Sequence, residues 1–151
     1  MSFAGTDLIT AVMATANAFL RESQRFFRPF GLTGAQYNVL NVLDGKTGGM
    51  SQRELSEVLV VDRSNVTGLL DRMEKAGWVK RADDPADRRV YRVSLTPAGR
   101  KLRAKVHPHY LAGVEQVTAG ISGSQIKAGL GLLRTLEVRV SARGNTRRKN
   151  P

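Results

Sequence analysis

The stretch from Met50 to Gly99 constrains this chain most, because helical and strand periodicities follow one another within it. Ser51-Gln52-Arg53-Glu54 has the order of a capping box and opens a short helix whose apolar side is Leu55, Val58 and Leu59. Val60 and Val61 make a turn, and Asp62 caps the next helix. Gly77 ends that helix as a left-handed C′ residue, which puts Trp78 where a Schellman motif packs it back on Met73. The period then changes from helical to two. Val79–Ala82 and Val90–Leu95 read as strands, the second alternating Tyr91, Val93 and Leu95 with Arg92 and Ser94, about an acidic turn at Asp83–Asp87.

Four further helices flank this stretch. The first is predicted from about Thr6 to Arg28 on a stripe of Leu8, Val12, Ala16, Phe19 and Leu20, and it stops at Pro29 and Gly31. Thr33-Gly34-Ala35-Gln36 is a second capping box, for a helix with Tyr37, Leu40 and Leu43 on its buried side. Gly45, Gly48 and Gly49 mark the loop after it. Thr96-Pro97, an N-cap followed by proline at the first helical position, starts a fifth helix that runs towards Val117 and carries a kink-prone Pro108. Ser122-Gly123-Ser124-Gln125 caps a sixth, with Ile126, Leu130, Leu133, Leu136 and Val140 along it. Residues 142–151 form a polar, basic tail that reads as flexible. The expectation is a single, mainly α domain over 1–151 with one small β-hairpin.

Composition removes several functions. Cysteine is absent, which excludes disulfides, thiolate metal sites and cysteine redox sensing, and which suits the cytoplasm. The N-terminus lacks the basic start of a signal peptide. No run of about 18 apolar residues suggests a transmembrane helix, and the first helix carries few basic residues for a membrane surface. There is no nucleotide-binding glycine motif and no nucleophile–base–acid set, so neither an enzyme nor a bound cofactor is expected. His107 and His109, two apart and without a carboxylate cluster, read as surface residues and not as metal ligands.

The net charge of +11 is uneven. Residues 1–61 balance at 5 basic and 5 acidic, 62–100 hold 9 and 6, and 101–151 hold 10 and 2. The excess lies on the hairpin region and the C-terminal third, which suits a polyanion, most simply nucleic acid; a solvated basic surface gives the same count. On the helix after Asp62, Val66, Leu69, Leu70 and Met73 share one face, and the opposite face holds Ser64, Thr67, Gly68, Asp71 and Lys75, flanked by Arg63 and Asn65. Short hydroxyl and amide side chains can donate and accept at base edges, and Gly68 permits close approach to a groove. At the hairpin, Arg88 and Arg89 can reach a narrow minor groove, while Asp87 can pair with Arg72 or Arg89 and brace the turn.

The ordered set Leu70-Asp71-Arg72-Met73-Glu74, Ala76-Gly77-Trp78-Val79, Arg81, Asp84-Pro85, Asp87-Arg88-Arg89 and Leu95-Thr96-Pro97-Ala98-Gly99 closely resembles the MarR family of winged-helix transcription regulators. The resemblance is densest over residues 33–100 and its helix count extends over most of the chain. It implies a winged helix-turn-helix lobe at 33–100 and an obligate homodimer of triangular outline, with dimerisation helices at 1–30 and 101–141. It also implies a recognition helix after Asp62, a minor-groove role for Arg89, and a cytoplasmic regulator, usually a repressor, released by a small and often phenolic effector. The DNA-contacting set is then Arg63, Ser64, Asn65, Thr67, Gly68, Lys75, Arg88 and Arg89, with Arg72 and Asp87 as wing brace.

The apolar stripes on the first and sixth helices exceed what a small winged helix needs, which agrees with a dimer, though they could bury against each other in one subunit. Phe19, Phe26 and Tyr37, with Phe27 and Phe30, could line an effector pocket or be ordinary core. Two-fold symmetry predicts a pseudo-palindromic double-stranded DNA operator. A protein-interaction scaffold and a transcriptional activator are the alternatives.

Overall fold

The computed structural model describes residues 3–59 and 65–147, with side chains through 142. The elements in order are α1 (Phe3–Phe27), a 3-10 turn (Arg28–Phe30), α2 (Gly34–Leu43), β1 (Met50–Ser51), α3 (Gln52–Val58), α4 (Val66–Lys75), β2 (Val79–Asp83), β3 (Tyr91–Leu95), α5 (Pro97–Thr118) and α6 (Gly123–Arg147). This is the mainly α, winged helix-turn-helix architecture expected. The chain divides into two compact units, residues 1–109 and 110–151.

In the first unit the local signals act as predicted. Thr33 Oγ1 accepts from the Gln36 backbone N–H at 3.2 Å and Gln36 Oε1 accepts from the Thr33 N–H at 2.9 Å, a complete capping box. Ser51 and Glu54 form a second one at the start of α3. Gly77 takes φ +77°, the Trp78 N–H donates to Met73 O at 3.0 Å and the Gly77 N–H to Glu74 O at 2.9 Å, which together make the Schellman motif that stops α4. Thr96 Oγ1 caps α5 through the Gly99 N–H and donates to Gly77 O, so the end of α4 and the start of α5 are tied together.

The sheet has the order β1-β3-β2, all antiparallel, with Val79 opposite Leu95, Arg81 opposite Val93, and Met50 opposite Val93 on the other side. β1 was not expected from sequence; two residues are too few to show a period. Its approach depends on Gly49, which takes φ +72° and whose Cβ, if present, would fall on the Val93 carbonyl. The core is built from Val39 and Leu40 of α2, Leu55 of α3, Val66, Leu70 and Met73 of α4, Val79 and Val93 of the sheet and Val106 of α5, all fully buried. Each such burial contributes about 1.5–3 kcal/mol.

Several expectations change. Val58 and Tyr91 are exposed; Val58 ends α3, and Tyr91 pairs with Asp83 in the last rung before the turn. Of the predicted α1 stripe, Leu8 and Val12 are half-buried while Ala16, Phe19 and Leu20 are exposed, as are Ile9 and Met13 beside it. The segment Phe3–Phe30 is, by length and composition alone, long and apolar enough to cross a bilayer, although Asp7 and Asn17 break its apolar run. A core helix of a soluble protein and a signal sequence pass the same test. The turn expected at Val60 and Val61 and the cap expected at Asp62 lie outside the described residues.

Helix α5 continues without a break through Pro108 to Thr118. Gly120 follows with φ +76°, and Ser122 and Gln125 form the expected capping box of α6. Helix α6 runs to Arg147, so residues 142–147 of the expected tail are helical, and residues 148–151 lie outside the described residues. Leu111, Val114, Val117, Ile126, Leu130, Leu133, Val138 and Val140 are exposed.

Candidate nucleic-acid interface

Helix α4 separates its two faces as the sequence predicts. Val66, Leu69, Leu70 and Met73 are buried, while Asn65, Thr67 and Lys75 are exposed and Gly68 is half-buried. Arg63 and Ser64 lie outside the described residues. The Thr67 hydroxyl accepts a 2.5 Å hydrogen bond from the Gln52 side-chain amide, in the first turn of α3. Gln52 was not anticipated: a polar residue at the second position of a capping box has no sequence signature of a cross-helix contact. The bond leaves the Thr67 hydroxyl proton and methyl available and fixes the rotamer that presents them.

Arg72 does not brace the wing. Its Nη1 lies 3.5 Å from where a Cβ on Gly68 would sit, so the guanidinium lies over α4, and it forms no ion pair among the described residues. Asp87 pairs instead with Arg89, whose Nε and Nη2 donate to its two carboxylate oxygens at 3.1 and 3.3 Å. This was one of the two pairings the spacing allowed. Asp87 also accepts from the Arg89 backbone N–H, and Asp84 accepts from the Ala86 N–H, so both carboxylates are used to close the turn. Arg89 is 90% exposed, so solvent screens this pair and holds the guanidinium in place only weakly. Arg88 is exposed and has no ion pair among the described residues.

The true braces are Arg81 and Arg92. From β2, Arg81 reaches back to α4, its Nη2 to Asp71 and its Nη1 to Glu74 at 2.6 Å each, while its backbone N–H donates to Glu74 at 3.0 Å. Partial burial works against its charge, but the bonds to Asp71 and Glu74 prevail and raise its pKa. From β3, Arg92 donates to the carbonyls of Gly48 and Gly49 at 2.9 and 2.8 Å and to Asp84 at 3.1 Å, with Glu54 of α3 at 4.0 Å. It thus joins the glycine loop, the wing turn and the helix pair. Arg92 looked like the solvent-facing half of an alternating strand, and only the unpredicted β1 beside it gives that face a neighbour.

Three wing and helix carboxylates are stabilised as anions. The Ala86 N–H and then the Arg92 guanidinium hold Asp84 below its ordinary pKa. The Arg89 side chain and then its N–H do the same for Asp87, and the Ser51 N–H and then hydroxyl for Glu54.

Of the aromatic set, Tyr37 stacks on Phe27 at 4.9 Å and Phe26 meets Phe27 edge-on at 4.8 Å, but Phe19 stands exposed and apart. The Tyr37 hydroxyl and His107 Nδ1 are 2.7 Å apart, so His107 is a half-buried partner of this cluster and not a simple surface residue. Among the described residues no three His, Asp or Glu side chains gather as a metal site.

The MarR family model matches residues 30–90, the stretch from the end of α1 to the wing. YwoH of Bacillus subtilis, an uncharacterized HTH-type transcriptional regulator, is 30% identical over 79% of this chain and 85% of its own length. The chain belongs to the MarR family. Two solved MarR-like neighbours are similar over most of both chains. CouR from Rhodococcus jostii, a transcriptional repressor bound to a 23-mer DNA duplex, is 27% identical with a TM-score of 0.73, over 84% of this chain and 89% of its own. BpsR of Bordetella bronchiseptica, whose DNA binding is regulated by 6-hydroxynicotinic acid, is 26% identical with a TM-score of 0.75, over 85% and 91%. Of three other curated regulators, TtmR of Methylorubrum extorquens, PapX of Escherichia coli and BadR of Rhodopseudomonas palustris, this chain covers only 48–58% of the length. The relatives are transcription regulators and not enzymes, in line with the absence of any catalytic set in the sequence.

Proposed function

We propose that this MarR-family chain is a homodimeric, sequence-specific DNA-binding regulator, most simply a cytoplasmic repressor released by a small aromatic or phenolic effector. The observation that carries the reading is the division of α4 into a fully buried apolar face and an exposed face of Asn65, Thr67, Gly68 and Lys75, held by Arg81 to a wing that ends in Arg88 and Arg89. Such a helix suits the major groove, and such a tip suits the adjacent minor groove or backbone. The DNA-bound state of CouR and the ligand-regulated binding of BpsR support the same reading.

Dimerisation is supported by the apolar side chains left exposed on α1 and, within the second unit, on α6. In the proposed dimer, residues 1–30 and 101–141 supply the interface and two copies of the 33–100 lobe read half-sites about one helical turn, ~10 base pairs, apart. Phe26 and Tyr37, packed about Phe27, are the proposed effector-facing aromatics; Phe19 belongs more naturally to the dimer face. An effector releases DNA only by binding the non-reading arrangement of the two lobes more tightly. The test is electrophoretic binding of the full chain to its own upstream DNA. Preference over random duplex is expected, and equal binding even at low salt would remove the proposal.

A further inference from the structure

A recess in the first unit lies between the glycine loop after α2 and the β2–β3 hairpin, with a volume of about 590 Å³. It is lined by Leu43, Leu95, Ala82 and Pro85 as apolar surface, and by Lys46, Lys80 and Arg100 as cations. Lys46 and Lys80 have no side-chain hydrogen bond or ion pair among the described residues. Arg100 is anchored by one nitrogen to the Leu95 carbonyl at 2.9 Å and is not neutralised by it. Asp83 is the acid in the lining, and Arg92, the remaining cation there, is satisfied by Asp84 and the loop carbonyls.

We infer that this recess is a binding site for a small organic anion, a carboxylate on an apolar body. Three uncompensated cations against one acid select negative charge. The apolar lining and a volume in the ~300–1,000 Å³ range of small-molecule sites exceed what an inorganic anion needs. The position argues against DNA. Arg81 points from β2 towards α4, so its neighbour Lys80, opposite Ser94, lies on the other face of the hairpin. The site is separate from the aromatic cluster of Phe26, Phe27 and Tyr37, none of which lines it.

The experiment is a nuclear magnetic resonance titration of the full chain with 2-naphthoate, using 2-naphthylmethanol as the uncharged control. Amide shifts centred on Gly45, Gly48, Gly49 and the β2–β3 pair are expected, with weak or no shifts from the alcohol. The double variant Lys46→Glu/Lys80→Glu, and separately Lys80→Ala, should keep the wild-type amide spectrum elsewhere and weaken naphthoate, the double by about tenfold or more. Shifts centred on Phe26 and Tyr37, equal binding of the alcohol, or unchanged affinity in the double variant would overturn the inference. So would a groove that ignores naphthoate while the double variant lowers the salt slope of DNA binding by about two, which would make these lysines phosphate contacts.

Discussion

At the scale of single residues, Thr67 and Arg81 show how narrowly the reading helix is set. The Thr67 hydroxyl is held by Gln52, so the two residues act on one contact. Thr67→Ala should cost about 1–3 kcal/mol on the preferred DNA site if the side chain reads a base. Gln52→Ala should weaken the same site, and the two losses should fall short of additive in a double-mutant cycle measured by fluorescence anisotropy. Full additivity would separate them. Arg81 bridges two carboxylates of α4 from β2. Arg81→Ala should lower unfolding stability by about 1–2 kcal/mol in urea denaturation, and Arg81→Lys should recover only part of this, since an ammonium cannot span both carboxylates with a planar fork. An unchanged denaturation midpoint would remove the brace.

At the scale of elements, the wing is organised by depressed carboxylates. Asp84 and Asp87 have folded-state pKa values below the unfolded ones, so their contribution is present above the unfolded values and is lost as pH falls through the folded ones. Wing order should therefore hold at neutral pH and fail progressively below about pH 4. Hydrogen exchange at the Ala86 and Arg89 amides, which donate to these carboxylates, should accelerate relative to the core strands on acidification; protection that stays constant through that range would contradict it. The helix ends were legible in sequence because caps are local: Thr33, Ser51, Gly77, Thr96 and Ser122 each act within a few residues. The braces were not, because Arg81 and Arg92 find partners across the fold and the strand β1 that frames Arg92 has two residues. Sequence left Arg72 and Arg89 both open as partners of Asp87; the helix turns Arg72 over Gly68, and the turn closes on its own Arg89.

At the scale of the molecule, the exposed apolar side chains of α1 and α6 are the feature that one subunit leaves unexplained. A stable interface needs about 1,600 Å² of total buried area, which helices of this length can supply. The native chain should sediment as a dimer, and Leu130→Glu/Leu133→Glu should sediment as a monomer that binds DNA far more weakly; a native monomer with full DNA affinity would contradict the proposed assembly. The central claim is that the exposed face of α4 reads sequence. Its most direct measurement is selection of bound duplexes from a random library by the wild-type chain and by Thr67→Ala. The account predicts a pseudo-palindrome with half-sites ~10 base pairs apart, and loss of preference at one symmetric position in the variant. No enriched sequence, or an identical motif from both proteins, would contradict it.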